Sequence, residues 1–120
     1  MKKILLVDDD PKIRALLQAT IGGRYKIIEA GDGRETIEKV KKEKPSLIIL
    51  DVLMPNMDGF EVCRIIKNDP ELIKIPVILL TAKKDPEDRR RGIEAGCDEY
   101  FTKPFSPRAL LKRIEELLEE

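Results

Sequence analysis

Five polar side chains stand where short apolar or mixed runs end. Asp8 and Asp9 follow residues 4–7, Asp51 follows residues 47–50, Thr81 follows residues 77–80, and Lys103 follows residues 99–102. Taken singly, each has an ordinary structural use: an acid caps a helix, a threonine ends a strand, a lysine coats a surface, and isolated motif matches mislead. Brought to one rim, the five become a chemical set. Carboxylates packed together repel and resist ionisation unless a cation joins them, and oxygen ligands in a chain without histidine suit Mg²⁺. That ion keeps several waters, takes one or two carboxylates and completes its shell with phosphate oxygens. A carboxylate can also attack phosphorus while a metal, an ammonium and a hydroxyl balance the phosphoryl oxygens. Lys103 and Thr81 supply the last two groups. Asp10 reads only as a helix cap.

Such a rim needs parallel strands ending at one edge. Residues 4–7, 47–50 and 77–80 are rich in branched apolar side chains and lack polar alternation, as in strands buried on both faces. Residues 25–30 and 99–102 are more mixed and read as the two edge strands. Helical spacing fills the intervals. The first helix is expected to bury Ile13, Leu16, Leu17, Thr20 and Ile21, and the last to bury Leu110, Leu111, Ile114, Leu117 and Leu118. Asp10-Pro11, Asp85-Pro86 and Ser106-Pro107 each set a capping residue before a first-turn proline. Gly22-Gly23, Lys44-Pro45 and Gly96 mark helix ends, and Glu119-Glu120 closes the last helix. Asp58-Gly59 imitates a hairpin turn, but Phe60, Val62, Cys63, Ile65 and Ile66 fit a buried helix face, so Asp58 reads as the cap of a third helix. The fourth helical segment, residues 85–95, offers little apolar surface beyond Ile93 and Ala95 and is expected to dock weakly. The pattern is β-α repeated five times. It predicts an α/β fold: a five-stranded parallel sheet with helices on both faces and ligands beyond the carboxyl ends of its strands.

Bulk properties narrow the function classes. The 120 residues are expected to form a single domain spanning 1–120, large enough to bury a core without disulfides. Cys63 and Cys97 form no C-x-x-C pair and read as buried, reduced thiols, which fits a cytoplasmic setting. The apolar run near the start is too short for a signal peptide and meets three aspartates, and no segment approaches the length of a membrane span. With 23 basic residues against 23 acidic ones and no basic block, neither membrane nor nucleic acid is expected as a direct partner. The absence of histidine removes the commonest general base and any phosphohistidine relay within the chain. At 38% charged residues with Gln18, Asn56 and Asn68 as the only side-chain amides, the composition is one found among thermophile proteins.

Val7-Asp8-Asp9-Asp10, the stretch from Leu50-Asp51-Val52-Leu53-Met54-Pro55 through Asp58-Gly59, Leu80-Thr81-Ala82 and Thr102-Lys103-Pro104-Phe105 together resemble a response-regulator receiver domain across the whole chain. The resemblance implies a flavodoxin-like (βα)5 fold with strand order 2-1-3-4-5. It implies Asp51 as the phosphoacceptor, and Mg²⁺ held by Asp9, Asp51 and the Leu53 backbone carbonyl, with Asp8 assisting through water. Lys103 would pair with the phosphoryl group and Thr81 would hydrogen-bond it, with small Ala82 leaving room. A cis Lys103-Pro104 bond is implied too. Thr81 and Tyr100, three residues before Lys103, would form the switch that alters the surface of helix four, strand five and helix five, with Phe101 facing the other way. A histidine kinase or phosphotransfer protein is the implied donor, and a downstream protein or output domain the implied reader. Leu53 and Lys83, two residues beyond Asp51 and Thr81, sit where receivers tune phosphoryl lifetime. Leu53 cannot orient a water, so a long-lived phosphoryl group is expected.

Two other classes stand beside this reading. A Mg²⁺-dependent phosphohydrolase with an aspartyl nucleophile would need a second acid two residues beyond Asp51, where Leu53 stands. A flavodoxin-like cofactor carrier would want amide-rich Gly, Ser or Thr after the first strand, where Asp8-Asp9-Asp10 would repel a phosphate.

Overall fold

Alternate residues of the central strands feed two separate cores, and this decides where every helix lies. The computed structural model describes residues 1–119; Glu120, expected at the end of the last helix, lies outside the described residues. Among the described residues the order is β1 (Lys3–Val7), α1 (Pro11–Ile21), a 3-10 turn (Gly22–Arg24), β2 (Lys26–Ala30), α2 (Gly33–Glu43), β3 (Leu47–Leu50), α3 (Gly59–Lys67), β4 (Val77–Thr81), α4 (Pro86–Glu94), β5 (Glu99–Thr102) and α5 (Pro107–Leu118). Leu5, Val7, Ile48, Leu50, Val77 and Leu79 pack on one face with Val40 of α2 and with Phe60, Val62 and Ile66 of α3. Ile4, Leu6, Leu47, Ile49, Ile78 and Leu80 pack on the other with Leu17 and Ile21 of α1 and with Leu110, Ile114 and Leu118 of α5. The period of two along a strand produces this division. Each such side chain, fully buried, contributes about 1.5–3 kcal/mol of transfer free energy.

All strand pairs are parallel and the order is β2-β1-β3-β4-β5, as the resemblance implies. Strand order reverses between β1 and β3, the position where parallel sheets open a crevice beyond their carboxyl ends. Register places the rim residues. Val7 pairs with Leu50, so Asp8 and Asp51, one step further on, emerge side by side. Thr81 pairs with Thr102, which sets Lys103 just beyond it.

The expected caps are observed in most cases. Asp10 accepts from the Lys12 amide, Asp58 from the Glu61 amide at 2.9 Å, and Ser106 from the Ala109 amide. Asp85 has the extended backbone of a cap but makes no side-chain cap bond. Lys44 closes α2 in the left-handed region, and Gly22 closes α1 with φ +73°. Because residues 22–24 form the 3-10 turn, β2 begins at Lys26 rather than at Tyr25.

Two side chains expected in helix cores face outward instead, Leu16 at 47% and Ile65 at 37% exposure, and Ile93 of the weakly apolar fourth helix is 66% exposed. Each sits at the margin of its apolar stripe, where the sheet no longer covers it. Ile13, Thr20, Leu111 and Leu117 are only partly buried for the same reason. On α4 the buried positions are Asp88 and Gly92, so this helix docks with almost no apolar side chain of its own. Among the described residues no helix is long and apolar enough to cross a membrane.

Candidate functional site

Asp8, Asp9 and Asp51 each offer a carboxylate oxygen, and these oxygens lie within 4.8 Å of one another. Asp8 and Asp51 are buried, at 2% and 5% exposure, whereas Asp9 is exposed. Main-chain pairing explains the placement. The Asp51 amide donates to the Val7 carbonyl at 2.9 Å, continuing the β1–β3 ladder one residue past its end. Asp8 is held by the Asp10 amide, which donates to its Oδ1 at 2.9 Å, while the Arg14 guanidinium donates to its backbone carbonyl.

Lys103 joins the two buried acids. Its Nζ lies 2.7 Å from Asp8 Oδ2 and 3.2 Å from Asp51 Oδ2. Burial pulls the Lys103 ammonium down, but its hydrogen bonds and charge contacts with Asp8 and Asp51 outweigh that and leave its pKa raised. Burial also pushes the Asp51 carboxyl up; Lys103 opposes this, Asp8 reinforces it, and the net direction is upward. One ammonium therefore does not fully compensate the buried acids, and charge complementarity leaves room for a further cation. The oxygen-only donor set and its spacing fit a hard divalent ion such as Mg²⁺.

The remaining residues surround this pair. Thr81 ends β4 with no exposed surface, and the Lys83 amide donates to its Oγ1 at 3.4 Å. The Leu53 amide donates to Asp51 Oδ1 at 3.2 Å, and the Leu53 side chain, half exposed, projects no polar group toward the rim. Lys103-Pro104 is cis, as the resemblance implies. A cavity of about 430 Å³ opens beside the acids between Asp9, Leu53 and Asp58 on one side and Lys83 and Arg91 on the other.

Tyr100 lies on the opposite side of β4 from the second core and is 5% exposed. Its hydroxyl donates to the Lys83 carbonyl at 2.8 Å, and burial pushes its pKa up to about 12. Phe101 packs into the core on the other face, as alternation requires. The two thiols are free; Cys63 is buried and Cys97 half-buried, and burial raises them to about 12 and about 11. Neither is a nucleophile at neutral pH.

Some supporting residues are invisible to spacing. Gly59 approaches the Asp51 backbone so closely that a Cβ there would stand 2.7 Å from Val52 Cα. The Asp58-Gly59 dipeptide signals a special backbone, but not which chain it touches. Arg91 lies 4.4 Å over the buried Phe60 ring and bridges α4 to α3, a contact for which a run of three arginines carries no signal.

The family model for the response regulator receiver domain matches residues 4–115. The chain is 44% identical over 118 residues to the alkaline phosphatase synthesis transcriptional regulatory protein PhoP of Bacillus subtilis, covering 98% of this chain and 48% of that protein. It thus spans about half the length of the curated relatives it matches. Among solved structures, the receiver domain of a signal transduction histidine kinase from Syntrophus aciditrophicus is 39% identical with a TM-score of 0.92, over 98% of this chain and 90% of that one. The phosphorylated cyanobacterial phytochrome response regulator RcpA is 30% identical with a TM-score of 0.86, over 98% and 93%. Register, rim and relatives agree, and the chain belongs to the receiver domain family of two-component response regulators.

Proposed function

We propose that Asp51 accepts a phosphoryl group with the aid of Mg²⁺ and that the chain works as a phosphorylation-driven switch. The observation that carries this reading is the buried Asp51 carboxylate, 3.2 Å from an ammonium and within 4.8 Å of two further carboxylates at the sheet's switch point. A solved relative in a phosphorylated form supports it.

In this reading Asp8, Asp9, Asp51 and the Leu53 carbonyl hold the ion, which when bound supplies positive charge to the phosphoryl oxygens. An Asp51 carboxylate oxygen attacks phosphorus in line. An O–P bond forms as the N–P bond to the donor histidine breaks, and the imidazole nitrogen keeps the electron pair. Lys103 moves from neutralising Asp51 to neutralising the new phosphoryl oxygens. Thr81 donates its hydroxyl to one of them. Both groups start within the rim, so little reorganisation is needed.

The donor is a histidine kinase or phosphotransfer protein, which membership of the response-regulator family supports. The reader is a downstream protein or output domain that meets the surface of α4, β5 and α5, with Thr81 and Tyr100 as the coupled pair. The chain itself turns over no external substrate: Leu53 stands where a phosphohydrolase would hold its second acid. The setting is the cytoplasm. Incubation with acetyl phosphate tests the first step. Intact mass should rise by one phosphoryl group with Mg²⁺ and not in EDTA; equal labelling in both would overturn the metal's role, and no labelling in either would overturn the acceptor.

A further inference from the structure

Gly92 stands in the middle of α4, where glycine weakens a helix relative to alanine. Its backbone is not in the left-handed region, so no turn or positive φ calls for glycine there. What does call for it is the ring beneath. A Cβ at this position would lie 2.8 Å from Cδ2 and 3.1 Å from Cε2 of Tyr100, and 3.2 Å from Cδ1 of Leu79. The bare Cα forms one wall of the slot that holds the ring.

The same slot is tied to the rim. The Tyr100 hydroxyl donates to the carbonyl of Lys83, two residues past Thr81, at 2.8 Å. The Lys83 ammonium in turn lies 3.6 Å from Asp88, one helical turn before Gly92 on α4. Arg89 closes the outside, its guanidinium carbon 5.1 Å from the ring centroid and its Nη1 donating to the Tyr100 carbonyl at 3.3 Å. Next to the slot an open cavity of about 230 Å³ lies between Arg89, Ile93, Cys97 and Glu99, with Tyr100 in its lining. Tyr100 thus borders open space on its outer side.

We propose that Gly92 is a size gauge for Tyr100: the missing side chain at this one helical position lets the ring lie inward and sets how closely α4 docks over it. α4 buries no large apolar side chain of its own within Pro86–Glu94, so it docks through its backbone at Gly92 against the Tyr100 ring and Leu79. A methyl group at residue 92 must lift α4 or drive the ring toward the outer cavity. The contact is a feature of the unphosphorylated chain and does not depend on Asp51 being the acceptor; only its use in signalling rests on the reading given above.

The test is a double-mutant cycle of Gly92→Ala and Tyr100→Val on the unphosphorylated chain, read by urea unfolding. Gly92→Ala should lower the urea midpoint in the wild-type background and raise it in the Tyr100→Val background, where the better helix propensity of alanine is opposed only by contact with the flexible end of Leu79, which the vacated ring space lets move aside. A shift of the same sign in both backgrounds would overturn the gauge. If Gly92→Ala alone fails to fold, the double variant decides: folding with a midpoint above that of Tyr100→Val upholds the proposal, and failure to fold refutes it. Nitration by tetranitromethane, mapped by peptide mass with Tyr25 as internal reference, gives a second readout on the folded variant. Tyr100 should react faster in Gly92→Ala than in wild type, and an unchanged rate would refute ring displacement. Labelling of wild type by acetyl phosphate separates the two readings: failure there overturns Asp51 as acceptor, while the sign reversal still judges the gauge.

Discussion

Gly59→Ala places a methyl group against the backbone that carries the acceptor. The added Cβ would press hardest on the Asp51 carbonyl oxygen and stand 2.7 Å from Val52 Cα, so α3 and the end of β3 must separate by about 1 Å to restore ordinary contact. Backbone cannot swing aside as a flexible side chain does. Overpacking of this kind costs about 1–3 kcal/mol, against a gain of at most about 0.5–1 kcal/mol from replacing glycine in a helical position. The expected net loss is about 1–2 kcal/mol, or roughly 3–8 °C in Tm for a chain of this length. Displacement of that size also moves Asp51 and Leu53 relative to Asp8 and Lys103. A misplacement near 1 Å can cost about a hundredfold in rate, so labelling by acetyl phosphate should slow by up to that factor at equal folded fraction. Thermal unfolding followed by circular dichroism and initial labelling rates by intact mass measure both effects. Gly23→Ala, with nothing within 4 Å of its Cβ, is the control and should stay within about 0.5 kcal/mol of wild type. A Gly59→Ala protein with wild-type Tm and wild-type labelling would refute the argument that this close approach positions Asp51.

Asp51→Asn should stabilise the metal-free chain at neutral pH. The folded Asp51 pKa is raised, so its favourable contribution is present below the ordinary carboxylate value of 3.8 and is lost as pH rises through the folded pKa. Urea midpoints should therefore favour the variant at pH 7 and converge in acid; a less stable variant at pH 7 would contradict this. Lys103→Met should lose about 1.5–3 kcal/mol at pH 7, because it strips charged hydrogen bonds from two buried acids. Since the Lys103 pKa is raised above 10.5, the ammonium's contribution persists across the neutral range and is lost on the basic side only in alkali, which urea midpoints measured from pH 7 upward will check. Leu53→Asn should shorten the lifetime of the phosphoryl group, measured as decay of the labelled mass after gel filtration, because the amide can orient a water that leucine cannot.

The rim was legible for a simple reason. A strand buried on both faces shows itself as a branched apolar run, and the next residue in a parallel sheet falls at the ligand-binding edge. Asp8, Asp51 and Thr81 obey this, each next after a branched apolar run, whereas Lys103 follows the mixed edge run 99–102 and is placed by the same β-α repeat. The cap at Asp58 was equally readable, because the apolar stripe after it has helical rather than hairpin period. The order of strands was not, since every βα unit looks alike locally, and it came from resemblance. Helix margins misled where periodicity cannot tell the centre of a stripe from its edge, as at Leu16 and Ile65. Ile93 misled more deeply. It was one of the two apolar residues noted in this segment, yet it faces solvent, while the position of α4 nearest the sheet is Gly92. An absent side chain gives periodicity nothing to count.

Borohydride reduction of the labelled chain tests the central claim most directly, because it converts an aspartyl phosphate into homoserine at the position that carried it. After acetyl phosphate and Mg²⁺, peptide mapping should find homoserine at Asp51 and at neither Asp8 nor Asp9. Homoserine at Asp8 or Asp9 with Asp51 intact would contradict the account.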